Sequence, residues 1–187
     1  MTVNTESNFV LLVDDNPSNL SVLSEVLTIA GIAFRVALDG KSALALADRK
    51  LPSLILLDIQ MPGIDGFEVC RQLQQNPKTQ AIPIIFMTAV TEVESKAQGF
   101  ALGAVDYITK PFQKVEILAR VKAHLRLHHL NQDLQQELKL RQQAEIKLRK
   151  SEQRYRYLYE NTPVTGLFHS KEMLEGFQPK FAAPLGL

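Results

Sequence analysis

The sequence predicts an α/β fold: a five-stranded parallel sheet with helices on both faces, continued by a long C-terminal helix. Three observations lead there. Short apolar runs alternate with amphipathic stretches five times over the first 125 residues. Most of those runs end in a polar residue capable of chemistry. No Gly or Pro interrupts the chain from Phe112 to Thr162.

The strand candidates are "FVLLV" (9–13), "AFRVA" (33–37), "LILL" (54–57), "IPIIFM" (82–87) and "AVDYIT" (104–109). Four of them are short and rich in branched aliphatics, the mark of strands buried on both faces. "AFRVA" is more polar and reads as an edge strand. The first helix runs from Pro17 to Ala30, with Leu20, Leu23, Val26, Leu27 and Ala30 on one stripe and Gly31 as its stop. Lys41 to Asp48 is rich in Ala and Leu and ends before Leu51-Pro52. Gly66 to Gln75 ends at Asn76-Pro77, and Thr91 to Leu102 ends at Gly103. A last helix starts after Pro111. Right-handed crossovers leave few ways to connect such units. The natural order for five strands is the flavodoxin-like 2-1-3-4-5.

Glu precedes Arg by four residues at 116/120, 137/141, 145/149 and 152/156. Each such pair adds about 0.3 kcal/mol to a helix. An unbroken helix over this stretch would reach roughly 70 Å at 1.5 Å per residue. A helix of that length needs a partner for its apolar stripe, usually a copy of itself. Leu127, Leu130, Leu134 and Leu138 fit a seam. Arg141 interrupts it, and Ala144, Leu148, Tyr155 and Leu158 resume it out of phase. The reading is a weak, stuttered coiled coil and a homodimer through this helix. The alternatives are a single solvated helix that frays and a hinge near His128 to Asp133, with Asn131 capping a second helix.

The net charge of +1 hides an asymmetry. Residues 1–112 carry 8 Lys+Arg against 12 Asp+Glu, and residues 113–160 carry 11 against 6. An acidic body followed by a basic arm implies two modules. The basic charges alternate with glutamates and no helix-turn-helix follows, so nucleic acid is not an expected partner. The longest apolar stretch, near Ile82 to Val90, falls far short of a bilayer core of ~30 Å. The polar start "MTVNTESN" has no signal-peptide core, and the single Cys70 suits a reducing compartment. A cytoplasmic protein without a membrane partner is expected.

The strand ends carry the chemistry. "FVLLV" leads into Asp14-Asp15, "LILL" into Asp58, "IIFM" into Thr88, and "AVDYIT" into Lys110-Pro111. In a parallel sheet these ends share one edge. Three carboxylates gathered there repel and raise one another's pKa. A hard divalent cation relieves this, and Mg²⁺ fits best because it takes few protein carboxylates. With Lys110 and Thr88 added, the set suits phosphoryl transfer to an aspartate nucleophile. Helix capping is the bland alternative for Asp14 and Asp15.

The blocks "VDD", "LLDIQMPGIDGFEV", "MTA" and "DYITKPF" resemble, in order and spacing, the receiver domain of two-component response regulators. The resemblance covers about residues 8 to 127. It implies that Asp58 is the phosphoacceptor and that Asp14, Asp15 and Asp58 hold Mg²⁺, with the Gln60 carbonyl completing the sphere. It implies that Thr88 and Lys110 sense the phosphate, that Tyr107 swings inward when Thr88 moves, and that Pro111 is a cis proline orienting Lys110. The implied partner is a histidine kinase or histidine phosphotransfer protein. The protein itself is then not an enzyme in the ordinary sense, only a phosphoacceptor that catalyses its own phosphotransfer and dephosphorylation.

The expected layout is a disordered 1–8, a receiver over 9–127, a helical extension over 128–160, and an irregular tail over 161–187. "SEQRYRYLYENTPV" (151–164) resembles the entry into a PAS domain, but too few residues follow for a folded one. The tail reads as the truncated start of a longer receiver–PAS protein. His124 and His128 share a helix face, yet no third ligand is suitably spaced, so a packed or solvated pair is expected. Two other functions fit the acidic set. A Mg²⁺-dependent phosphohydrolase would need an acid/base two residues after Asp58, where Gln60 stands. A dimerising scaffold without phosphorylation would not need the full set.

Overall fold

The computed structural model describes residues 8–89 and 98–161. The expectations for the N-terminus, for most of the Thr91–Leu102 helix and for the PAS-like tail therefore lie outside the described residues; within that helix, 98–101 are helical. The chain divides into two compact units, Met1–Glu137 and Leu138–Leu187.

The first unit holds a five-stranded parallel sheet: β1 (Val10–Val13), β2 (Phe34–Ala37), β3 (Leu54–Asp58), β4 (Ile84–Ala89) and β5 (Asp106–Lys110). The order is β2-β1-β3-β4-β5, as the sequence predicts. The helices are α1 (Pro17–Ile29), α2 (Gly40–Arg49), α3 (Gly66–Gln75) and α4 (Lys114–Asn161). The α4 helix is unbroken through Asn131, so the suggested hinge is absent.

Alternation along each strand feeds two cores. Leu11, Val13, Ile55, Leu57 and Phe86 pack with residues of α2 and α3. Val10, Leu12, Leu54, Leu56, Ile85 and Met87 pack with α1 and with Ile117 and Val121 of α4. Each such side chain contributes about 1.5–3 kcal/mol on burial. β2 keeps only Ala37 buried, consistent with an edge.

Boundaries shift for local reasons. β4 starts at Ile84 because Pro83 has no N–H to give the ladder. β5 starts at Asp106 because the Ala104 N–H closes the preceding turn on the Gly99 carbonyl. α2 gains Gly40 because Asp39 caps it, its side chain accepting from the Ser42 N–H at 2.8 Å. Gly31 and Gly103, the expected stops, have φ of 68° and 95°.

Candidate functional site

The parallel register sets the site. Val13 pairs with Leu57, Asp58 with Met87, and Ala89 with Lys110. Asp14, Asp58, Thr88 and Lys110 therefore reach the same edge from four neighbouring strands. One oxygen from each of Asp14, Asp15 and Asp58 falls within a group no wider than 4.8 Å. The Lys110 ammonium lies 2.8 Å from Asp58 Oδ2 and 3.1 Å from Asp14 Oδ2. Asp14, Asp58 and Thr88 are buried and Asp15 is exposed. The cluster is thus charged at its floor and open at its rim.

Capping does not account for the acids. Asn16 caps α1, its side chain accepting from the Ser18 N–H at 2.9 Å. Asp14 is instead held in place: it accepts from the Asn16 N–H at 2.8 Å and from Asn19 Nδ2 at 2.9 and 3.0 Å. Asn19 is a site residue that sequence reading misses. Its only signal is its place in the first turn after the acidic pair, where a polar residue also reads as solvated surface.

The Asp58 carboxyl is pushed above its ordinary range. Burial is the main cause, and the like charge of Asp14 adds to it; Lys110 and the Gln60 N–H pull the other way. The Gln60 N–H approaches Asp58 Oδ1 at 3.4 Å. A cation beside Asp58 and Asp14 would relieve both destabilising causes, so the donor set fits a hard divalent ion.

The loop after β3 is shaped to hold Asp58. Gly63 has φ 84°. A Cβ at Gly66 would stand 2.2 Å from the Asp58 carbonyl oxygen, so only glycine lets α3 start against the end of β3. Asp65 caps that helix through the Glu68 N–H at 2.8 Å.

Tyr107 is buried, its ring stacked on Phe86 at 6.0 Å and edge-on to Phe100 at 4.8 Å. The Lys110–Pro111 peptide is cis. His124 makes no metal group with His128; its Nε2 lies 3.0 Å from Asp106 Oδ2, and Arg120 holds the other oxygen of Asp106 at 2.6 Å. A cavity of about 360 Å³ lies at the opposite sheet edge, lined in part by Asn8, Ser53, His128 and His129, and has no carboxylate. A phosphoryl site needs convergent charge more than volume, so that cavity does not compete with the acidic cluster.

A sheet of this order with acids and a lysine at its carboxyl edge defines a class, and the comparison with known families agrees. The chain belongs to the response regulator receiver domain family, whose model matches residues 10–122. The DNA-binding dual master transcriptional regulator RpaA of Synechocystis is 44% identical over 117 residues, 63% of this chain and 48% of RpaA. The response regulator PleD of Caulobacter vibrioides is 42% identical over 127 residues, 68% of this chain and 28% of PleD. The solved chemotaxis response regulator CheY4 of Vibrio cholerae superposes with a TM-score of 0.59 at 32% identity, covering 63% of this chain and 98% of that one. The chain spans about half or less of the length of these curated relatives. It carries a receiver domain, a phosphoacceptor module, and neither the phosphohydrolase nor the scaffold reading is favoured.

Proposed function

We propose that Asp58 accepts a phosphoryl group from a phosphohistidine on a histidine kinase or phosphotransfer protein, and that α4 passes on the result. The single observation that carries this reading is the convergence of Asp14, Asp15, Asp58 and the Lys110 ammonium at one sheet edge. An Asp58 carboxylate oxygen attacks phosphorus. A P–O bond forms, the P–N bond to the donor imidazole breaks, and the imidazole leaves with its electron pair and takes up a proton. Lys110, already at Asp58, meets charge on the phosphoryl oxygens, and the Thr88 hydroxyl donates to one of them.

Mg²⁺, when bound, supplies further positive charge to those oxygens. Asp14, Asp15 and Asp58 would hold it, with the Gln60 carbonyl. Asn19 keeps Asp14 oriented toward that position. The acyl phosphate brings roughly two negative charges to Asp58. Lys110 and Thr88 then draw in, Tyr107 is held in the buried position it already occupies against Phe86, and the sheet edge beside α4 repacks. Autodephosphorylation uses the same groups with water as the nucleophile. The apolar stripe of α4, exposed at Leu127, Leu130 and Leu134, supports pairing with a second copy.

Acetyl phosphate with Mg²⁺, followed by intact-mass measurement, tests the acceptor. Wild type gains one phosphoryl mass; Asp58→Asn gains none, and chelating the metal abolishes the gain. A wild type that never gains that mass contradicts the proposal.

A further inference from the structure

The α4 stripe contains its own instructions for how two copies align. Seven-residue steps from Leu127 land on Leu134, Arg141, Leu148 and Tyr155. The same steps from Leu130 land on Glu137, Ala144, Ser151 and Leu158. The seam therefore keeps one phase, and the apparent stutter disappears once Leu138 is placed beside the seam rather than in it. Leu127, Leu130, Leu134, Leu148, Tyr155 and Leu158 are each more than half exposed. Glu137 and Arg141 are the two charged positions in this otherwise apolar or small-residue series, and both are exposed.

We infer that α4 pairs with α4 of a second copy in parallel and in register, with Glu137 of each copy pairing with Arg141 of the other. This rests on the dimer reading above and adds its orientation. In a parallel pair the Glu137 layer is followed by the Arg141 layer about 6 Å along the axis, within reach of long side chains. A shift of one heptad would set Glu137 beside Ala144 and Arg141 beside Leu148 or Leu134, leaving charges without partners in the seam. A polar layer of this kind selects register at some cost in stability. Flanking charges agree. Lys147 and Glu152 are five residues apart at the two positions that face each other across a parallel pair.

One antiparallel register opposes Glu137 with Arg141, Leu130 with Leu148 and Leu134 with Ala144, but it fails at its end. That register also opposes Leu158 and Arg120. Arg120 is already held by Asp106 at 2.6 Å and Glu116 at 2.9 Å.

Oxidative cross-linking of the full chain reads the orientation. Cys70 is buried with its thiol pushed up to about 11, so it does not compete. Ser151→Cys, in the seam, is compared with Gln153→Cys, on the far side of the helix, with and without beryllofluoride and Mg²⁺. Parallel pairing predicts that Ser151→Cys links to itself about tenfold faster than Gln153→Cys, since only seam positions bring the two Cβ atoms to disulfide distance. Light scattering on the same samples separates the two levels of the reading. Dimers without a Ser151→Cys link overturn the orientation and leave the dimer standing. Monomers in both states overturn the dimer and the orientation together. A charge exchange adds an independent arm. Glu137→Arg and Arg141→Glu each weaken self-pairing by about tenfold or more, and mixing the two chains restores it as a heterodimer. Failure of the mixture to pair, with both chains folded, overturns the Glu137–Arg141 assignment.

Discussion

Asp58 is folded into a place that disfavours its charge. Burial and Asp14 raise its pKa above the unfolded chain's ordinary value of 3.8. A raised carboxyl means that the native state binds the proton more tightly than the unfolded state. Its contribution to stability is fully present below the ordinary range and is lost as pH rises through the raised value. Asp58→Asn stays neutral throughout, so it should melt above wild type at pH 7, the gap closing toward about pH 4. Thermal melts across that range check this, and a gap independent of pH contradicts it. The same strain should make the site sensitive to metal. Mg²⁺ at a hundred times its dissociation constant should stabilise wild type by about 2.7 kcal/mol. Asp58→Asn should respond far less, a difference that denaturant midpoints with and without the ion will show. These acids were legible in the sequence because each follows a strand core directly. Asn19 was not, because its role depends on how the first turn of α1 faces Asp14, and no spacing rule encodes that.

At the scale of elements, the start of α3 matters most. Gly66 lies so close to the Asp58 carbonyl that a methyl group has nowhere to go, and the obstacle is backbone. Gly66→Ala should cost about 3 kcal/mol by overpacking, and should slow phosphorylation by shifting Asp58. Urea unfolding and phosphorylation rates measure both; an unchanged midpoint contradicts the packing argument. Gly99 is a gentler probe. A Cβ there would meet the Tyr107 hydroxyl at 2.4 Å and the Phe86 ring at 2.8 Å. Gly99→Ala should therefore push the Tyr107 ring toward solvent with a modest loss of stability, seen as increased quenching of tyrosine fluorescence by iodide. Strand existence and order were legible because buried parallel strands are nearly all aliphatic. Their first residues were less so. Pro83 and the turn through Ala104 move the starts of β4 and β5 by two residues each, and both effects depend on where backbone N–H groups find partners. The contact of Gly66 with Asp58 was invisible beforehand, since "DG" before a helix reads simply as a cap and its first residue.

For the whole molecule, the receiver and the helix beyond it must be treated as two units. The charge asymmetry and the run free of Gly and Pro imply two modules, but the charge changes sign near residue 112, well inside the unit Met1–Glu137. The constant heptad is harder to read, because Leu138 and Leu140, both about half exposed or more, blur the stripe. Orientation of the pair is a property of two chains, which one chain's periodicity encodes only through its charged seam positions. If phosphorylation acts through this helix, beryllofluoride with Mg²⁺ should tighten dimerisation, read as a lower midpoint in a sedimentation titration; an unchanged midpoint would leave pairing independent of the site. The account as a whole depends on one carboxylate being the acceptor. After reaction with acetyl phosphate and Mg²⁺, borohydride reduces an aspartyl phosphate to homoserine, and peptide mapping locates it. The account predicts homoserine at position 58 and nowhere else. Homoserine at Asp14 or Asp15, or phosphate retained on another residue while Asp58 stays intact, would contradict it.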